Sequence, residues 1–399
     1  MLDKESVAHE YIPGGLLDHY SISQAYVAKL GFLRFELTES FKERFFSKEQ
    51  VGGSSVSEFV TELYSLLSKS PHVMDIAPGK DELLNDLEKG RISFAVWPYE
   101  AAIALETFLK MRVVMPKRIR EQLGIFPWSW NPEEFTVYFD GALFAVYAPV
   151  ESVPILTDLG QITRDFLRET LSPSNKWDHV NGFGPTPIHP ELYFILATPK
   201  SVAGNPPIKL PLINVAENDV IIIIPSEEPI DTIIGPLLHD MERGLFRFYI
   251  QRVFDQEFQA AVDALEQLNE QLSGRLAKYF KLPIVRRFFS TVSGDIRKLL
   301  GEMHTVLQEV SAAEIRLKRT QEEALGAIAK TTFLKGIEKY FAEHMKPHIT
   351  IDRDAQLTTM NFAAEETSNF AIAQATLIAA LVGAIIGGLL TAAAQYFLK

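Results

Sequence analysis

The spacing of apolar positions changes along the chain, and each change predicts a different kind of structure. Up to about residue 235 the pattern is mixed. Phe59, Leu63 and Leu66 recur at helical spacing over 57–67, and Leu83, Leu84 and Leu87 share one side of a short helix over 81–87. Ile92, Phe94 and Val96 alternate, which suits a strand closed by Pro98. The run 99–111 reads as a helix and 155–171 as an amphipathic one. Two aromatic and β-branched runs, 135–139 and 142–147, flank Asp140 and Gly141. That pairing predicts an antiparallel hairpin with a two-residue type I′ turn, in which both central residues take positive φ. Segment 172–190 is rich in Pro, Gly and Asn and reads as a loop. Strands are expected over 192–197 and 220–224. The second shows no alternation and so reads as buried on both faces, and Pro206, Pro207 and Pro211 mark the link between them as a loop.

From about residue 236 the pattern becomes purely helical. Two long helices are expected, 237–279 and 284–328, divided near Pro283. In the second, Val292, Ile296, Leu299, Met303, Val306 and Val310 recur in steps of four and three, and the row continues through Ala313, Leu317, Thr320 and Ala324. This is a heptad seam. The first helix carries a shorter seam at Phe258, Val262, Leu265, Leu268 and Leu272. An antiparallel hairpin with arms of roughly 60 Å is the simplest arrangement. A short amphipathic helix over 333–344 precedes Pro347.

The last change is the largest. No charged residue occurs from Thr367 to Leu398. About 20 apolar residues suffice to span the hydrocarbon core as a helix, so 375–397 is expected to be a single membrane anchor. Ala375, Ala379, Gly383, Gly387 and Thr391 place a small residue at every fourth position. Such a row lets helix backbones approach closely and predicts self-association. Residues 1–11 are polar and no apolar export signal follows them, so the N-terminal body is expected on the cytoplasmic side.

The expected fold is therefore α+β: a mixed α/β body over 1–235, a helical-hairpin stalk over 236–330, a linker with an amphipathic helix over 331–366, and a membrane helix with its tail over 367–399. The chain has 399 residues, ample for such a division. Its net charge of -12 argues against nucleic acid as a partner, since phosphate binding calls for a basic field. There are no cysteines, which excludes disulfides, thiolate catalysis and cysteine zinc sites. The stalk is locally basic, with Arg286, Arg287, Arg297, Lys298, Arg316, Lys318 and Arg319, either as a solvated flank or as a surface for anionic lipid or an acidic partner.

No phosphate loop, dinucleotide fingerprint, HExxH or GxSxG motif is present. The expectation is a chain that is not an enzyme and needs no cofactor or metal. Weaker candidates remain. His179, Asn181, Gly182, Gly184 and His189 fall in the 172–190 loop, where glycines let a backbone approach a ligand. His239, Asp240 and Glu242 read as groups complementing the dipole at a helix start. His344 and His348 have helical metal spacing, but Pro347 between them breaks the helix that the spacing needs. Trp128 and Trp130 suit a core edge or a stacking surface, and Lys117, Arg118 and Arg120 a solvated helix face.

The order of parts is similar to that of the CorA class of divalent-cation channels: a cytoplasmic α/β body, long helices, then a C-terminal membrane region. The likeness is one of layout. That class carries two membrane helices and a Gly-Met-Asn signature, whereas one apolar run is visible here and Met360-Asn361 follows Thr359. The leading expectation is a membrane-anchored sensor or interaction protein, homo-oligomeric, with membrane lipid and a protein partner as its contacts. The alternatives are an oligomeric permeabiliser or ion pathway, and a tethered enzyme using the 172–190 loop.

Overall fold

The computed structural model describes residues 20–45, 54–96, 100–122, 132–150, 157–183, 192–199, 212–216, 219–225, 229–283, 287, 291–331, 341–342, 345 and 353–397. The chain is α+β, with a largely antiparallel sheet and long helices. The sheet is organised on β1 (Tyr20–Leu37), an 18-residue strand. One edge of β1 pairs with β7 (Leu143–Val150) and then β4 (Glu100–Leu105); the other pairs with β9 (Leu192–Pro199) and then β8 (Trp177–Phe183). Beyond β7 lie β6 (Glu134–Phe139), β5 (Leu109–Val114) and β2 (Val73–Ala77), and β3 (Ile92–Val96) pairs with β4. Beyond β9 lie β11 (Asp219–Pro225) and β10 (Leu212–Ala216). Among these pairs β9 with β11 is parallel.

Both faces of β1 are apolar along much of its length. Val27, Leu33, Phe35 and Leu37 join one core with α1 (Glu39–Phe45), α2 (Ser54–Lys69), α3 (Lys80–Glu88) and α5 (Leu159–Leu171). Its aromatic centre is Phe35, Phe59 and Trp177, with centroids 4.8 to 5.0 Å apart. The indole N–H of Trp177 donates to the Leu171 carbonyl at 2.7 Å, satisfying the polar edge of a buried ring. On the opposite face, Phe32 stacks on Tyr249 at 5.2 Å and meets Phe246 edge-on. Those two residues belong to α6 (Ile230–Lys281), a 52-residue helix that carries Pro236 near its start.

The sequence-based expectations hold for α2, α3, β3, β9, β11 and the β6–β7 hairpin. Three differ. Segment 99–111, expected as a helix, forms β4 and the start of β5. Its Ala, Leu, Glu and Lys content favours a helix, but pairing with β1, β3 and β6 overrides that local preference. The 172–190 loop contains strand β8, and the link between β9 and β11 contains β10. The hairpin turn is also shifted by one residue. The Asp140 N–H donates to the Leu143 carbonyl at 3.0 Å, so Gly141 and Ala142 are its central pair. Gly141 has φ +100°, the positive φ that the first central position of a primed hairpin turn requires.

The chain forms two compact units. The first comprises residues 1–251 and 321–346, the second 252–320 and 347–399. In the second, α6 pairs with α7 (Val292–Ile328). Arg275 meets Asp295 near the bend, and Arg316 meets Glu257 at the other end, so the two helices run antiparallel. Ile296, Met303, Leu307 and Val310 of α7 pack with Phe258, Val262, Leu265, Leu272 and Tyr279 of α6. Of the other seam positions, Leu299 is buried, and Val292 and Val306 are partly buried against this core. The 45-residue α8 (Arg353–Phe397) contributes Met360 and Ala363 to the same core.

Candidate functional site

Of the residues proposed from the 172–190 segment, the described ones lie in a strand. His179, Asn181 and Gly182 lie in β8, opposite Glu36, Arg34 and Leu33 of β1. Strand alternation therefore puts His179 and Asn181 on one sheet face and Gly182 on the other. On the first face the Asn181 amide donates to Glu100 Oε1 at 3.0 Å, and Glu100 Oε2 sits 2.5 Å from Arg34 Nε. On the second, a Cβ added at Gly182 would lie 2.7 Å from the Arg164 side chain, so glycine here makes room for α5. Gly184 and His189 lie outside the described residues, as do Trp128, Trp130, His344 and His348. Lys117 and Arg118 are exposed on the short α4 (Lys117–Gln122). Among the described residues no group of three or more His, Asp or Glu side chains is placed to hold a metal.

The start of α6 is held to the sheet by polar contacts that the sequence does not announce. The Tyr147 hydroxyl donates to the Asp231 carboxylate, and the Tyr138 hydroxyl donates to the Asp231 carbonyl at 3.1 Å. Lys110 lies 3.0 Å from the same carboxylate. Burial works to raise the Asp231 carboxyl, but the Tyr147 hydrogen bond and the Lys110 ammonium together hold it below the ordinary range. Burial, then the contact with Asp231, raises Tyr147 well above the usual tyrosine value. Asp231, in the first turn of α6, is thus the group that complements the helix dipole.

Glu242 plays a different part from the one expected. It is buried at 8% exposure, further along α6, and burial first and the Glu106 carboxylate second push it up to about 8. His239 approaches it at 3.6 Å. Asp140, at the hairpin turn, is fully buried. Its Oδ1 accepts the Ala142 and Leu143 N–H groups, and its Oδ2 has no hydrogen-bond partner among the described residues. Burial, followed by the charge of Glu242, raises Asp140 well above its ordinary value, against the pull of those N–H donors. Burial under α6 therefore favours the protonated form of both acids.

The helical unit carries the features that most resemble a binding surface. Its basic side chains are mostly engaged within the chain. Arg287 donates to the carbonyls of Leu282 at 2.9 Å and Phe280 at 2.6 Å, closing the end of α6. Lys298, Arg316 and Lys318 pair with Glu302, Glu257 and Glu314. Arg297 differs: its Nη2 donates to the Thr367 backbone carbonyl of α8 at 3.0 Å, with no ion pair among the described residues. From Thr367 onward α8 presents apolar side chains outward. Ile372, Ile378, Val382 and Ile386 are 48 to 63% exposed. Ala375, Ala379 and Gly383 are exposed too, whereas Gly387 and Thr391 lie in α8 without described side chains. Among the described residues no helix is long and apolar enough to cross a membrane. The last described side chain on α8 is Ile386, and the uncharged run of the sequence extends past it to Leu398.

No family model, curated protein or solved structure matches this chain.

Proposed function

We propose that the protein is a membrane-anchored sensor or interaction protein, held by the C-terminal part of α8 and coupled to its body through the α6–α7 hairpin. The observation that carries this reading is the division of labour along α8. Met360 and Ala363 are packed in the helical core, while Ile372, Ile378, Val382 and Ile386 of the same helix stay exposed in a run without charge. A water-soluble surface rarely keeps so many large apolar groups in one contiguous stretch. Hydrocarbon solvates them without cost. Because one helix carries both portions, a movement of the hairpin would reach the anchor without passing through a flexible joint.

Self-association through Ala375, Ala379, Gly383, Gly387 and Thr391 belongs to the same proposal, with the body on the cytoplasmic side. Among the described residues, and apart from the backbone of its own helix, nothing lies within 4 Å of a Cβ built at Gly383. A larger residue there has room within the subunit, so its effect reports on contacts between subunits. The experiment is to express the full chain and a form ending at Glu366, float both with vesicles, and measure the size of the full chain and its Gly383→Leu variant in detergent. The full chain should float and the truncated form should not, and Gly383→Leu should reduce the oligomer. Flotation of the truncated form would refute the anchor, and an unchanged size would refute the packing role of Gly383.

A further inference from the structure

The helical unit contains a groove of about 530 Å³ between α7 and α8, lined by Arg297 and Leu300 of α7 and by residues of α8 from Ala364 to Ala375, Ser368, Ala371 and Ile372 among them. That volume lies within the range of small-molecule sites, about 300–1,000 Å³. Its walls are chemically divided. One charged group, Arg297, stands at the groove, and its guanidinium uses one N–H donor on the Thr367 carbonyl. A guanidinium has five N–H donors, so among the described residues others remain for an anion. The neighbouring wall of Leu300, Ala371, Ile372 and Ala375 offers no hydrogen bond to water. A ligand that satisfies both parts must join an anionic head to an apolar tail.

The position of the groove narrows the choice. Glu365 and Glu366 are the last charges before the uncharged run, and the lining of the groove on α8 runs from Ala364 to Ala375, across that boundary. In a membrane-anchored protein that is the level of the lipid headgroups. An acidic peptide would leave Ile372 and Ala375 uncovered, whereas a phospholipid tail covers them. We propose that this groove binds one anionic phospholipid. Its phosphodiester is held by the Arg297 guanidinium and the Ser368 hydroxyl, and an acyl chain lies along Leu300, Ala371, Ile372 and Ala375. The proposal rests on the anchor reading for its orientation but not for its chemistry.

Short-chain lipids test it on the full chain in non-ionic detergent. The chain is titrated by calorimetry with dihexanoyl phosphatidylglycerol, dihexanoyl phosphatidylcholine and glycerol 3-phosphate. Phosphatidylglycerol should bind best. R297Q should weaken it about tenfold or more, as expected for loss of a charged hydrogen bond. A371W, which fills the trough but keeps the cation, should weaken it comparably. K298Q should bind as the parent does, because Lys298 is 81% exposed and paired with Glu302. Equal binding of the two lipids, or parental binding by R297Q, would overturn the proposal. Binding of glycerol 3-phosphate as tight as that of phosphatidylglycerol would reduce the site to a simple anion site and overturn the lipid assignment. If R297Q does not fold, A371W decides: parental affinity in that variant rejects the groove. Vesicle flotation fails separately if the anchor reading is wrong, and the titration still reads the groove in that case.

Discussion

Two apolar rows in the same helical unit meet opposite fates. On α7, Ile296, Met303 and Val310 recur with a heptad period and are fully buried against α6. On α8, Ile372, Ile378, Val382 and Ile386 are equally apolar and stay exposed. The difference lies in the pattern around them. The α7 row is flanked by Lys298, Glu302, Glu309 and Arg316, which mark one narrow face for a partner helix. Around the α8 row no neighbour is charged and all but Gln374 are apolar or small, so no single face is singled out. A periodic seam specifies a protein partner, while uniform apolarity specifies a solvent.

The largest expected effect that separates the two rows is truncation. Ending the chain at Glu366 removes the α8 row and leaves the α7 row intact. The anchor reading expects complete loss of vesicle association with an unchanged melting temperature for the helical unit. Next is Met303→Asp, which buries an unpaired carboxylate in the seam at a cost of about 3 kcal/mol or more. The matching change on α8, Ile378→Asp, should leave the thermal melt in detergent unaltered and weaken vesicle flotation. Equal melts for Met303→Asp and its parent would show that the seam does not hold the hairpin together.

The body offers two smaller tests. Gly141→Val combines a φ of +100° with a Cβ 2.8 Å from the Ile103 carbonyl oxygen, and should cost about 1–3 kcal/mol by denaturant titration. Glu242 gives a test whose outcome depends on pH. Its folded value, about 8, lies above the ordinary 4.5, so the folded state binds the proton more tightly than the unfolded one. That contribution is fully present below about pH 4.5 and is lost as pH rises through about 8. Glu242→Gln keeps the neutral shape of the protonated acid. It should therefore melt with a smaller fall between pH 5 and pH 9 than the parent. Parallel melting curves across that range would mean that Glu242 is not held protonated.

The same contrast explains what could be read from the sequence. The seam of α7, the hairpin around Gly141 and the helix of α2 each announce themselves by local spacing or turn chemistry. β1 does not. Val27, Leu33 and Phe35 feed one core while Ala28, Leu30 and Phe32 lie on the opposite face, so its apolar positions show no alternation. β4 hides for a similar reason, being buried from Ala101 to Leu105 with helix-favouring residues. Among site residues, Asn181 and His179 were visible as polar groups near glycines, but their pairing with Arg34 and Glu36 depends on a strand far away in sequence. Asp140 and Glu242 are ordinary acids until α6 covers them. Arg297 stood out only as one of several basic residues. Its distinction, a backbone carbonyl partner in place of a carboxylate, exists only once α8 is in position.

The long first strand has a consequence for how the chain is made. β1 takes its partners from β4, β7, β8 and β9, and its far pairing joins Tyr20 to Pro199. A ribosome releases Tyr20 well before Pro199, and at about 5–20 residues per second the gap lasts tens of seconds or less. Through that interval the backbone donors and acceptors of an apolar strand have no sheet to join, which is the condition under which nascent chains aggregate. The body of this protein is therefore expected to fold late in its own synthesis, and to need shelter until β9 emerges.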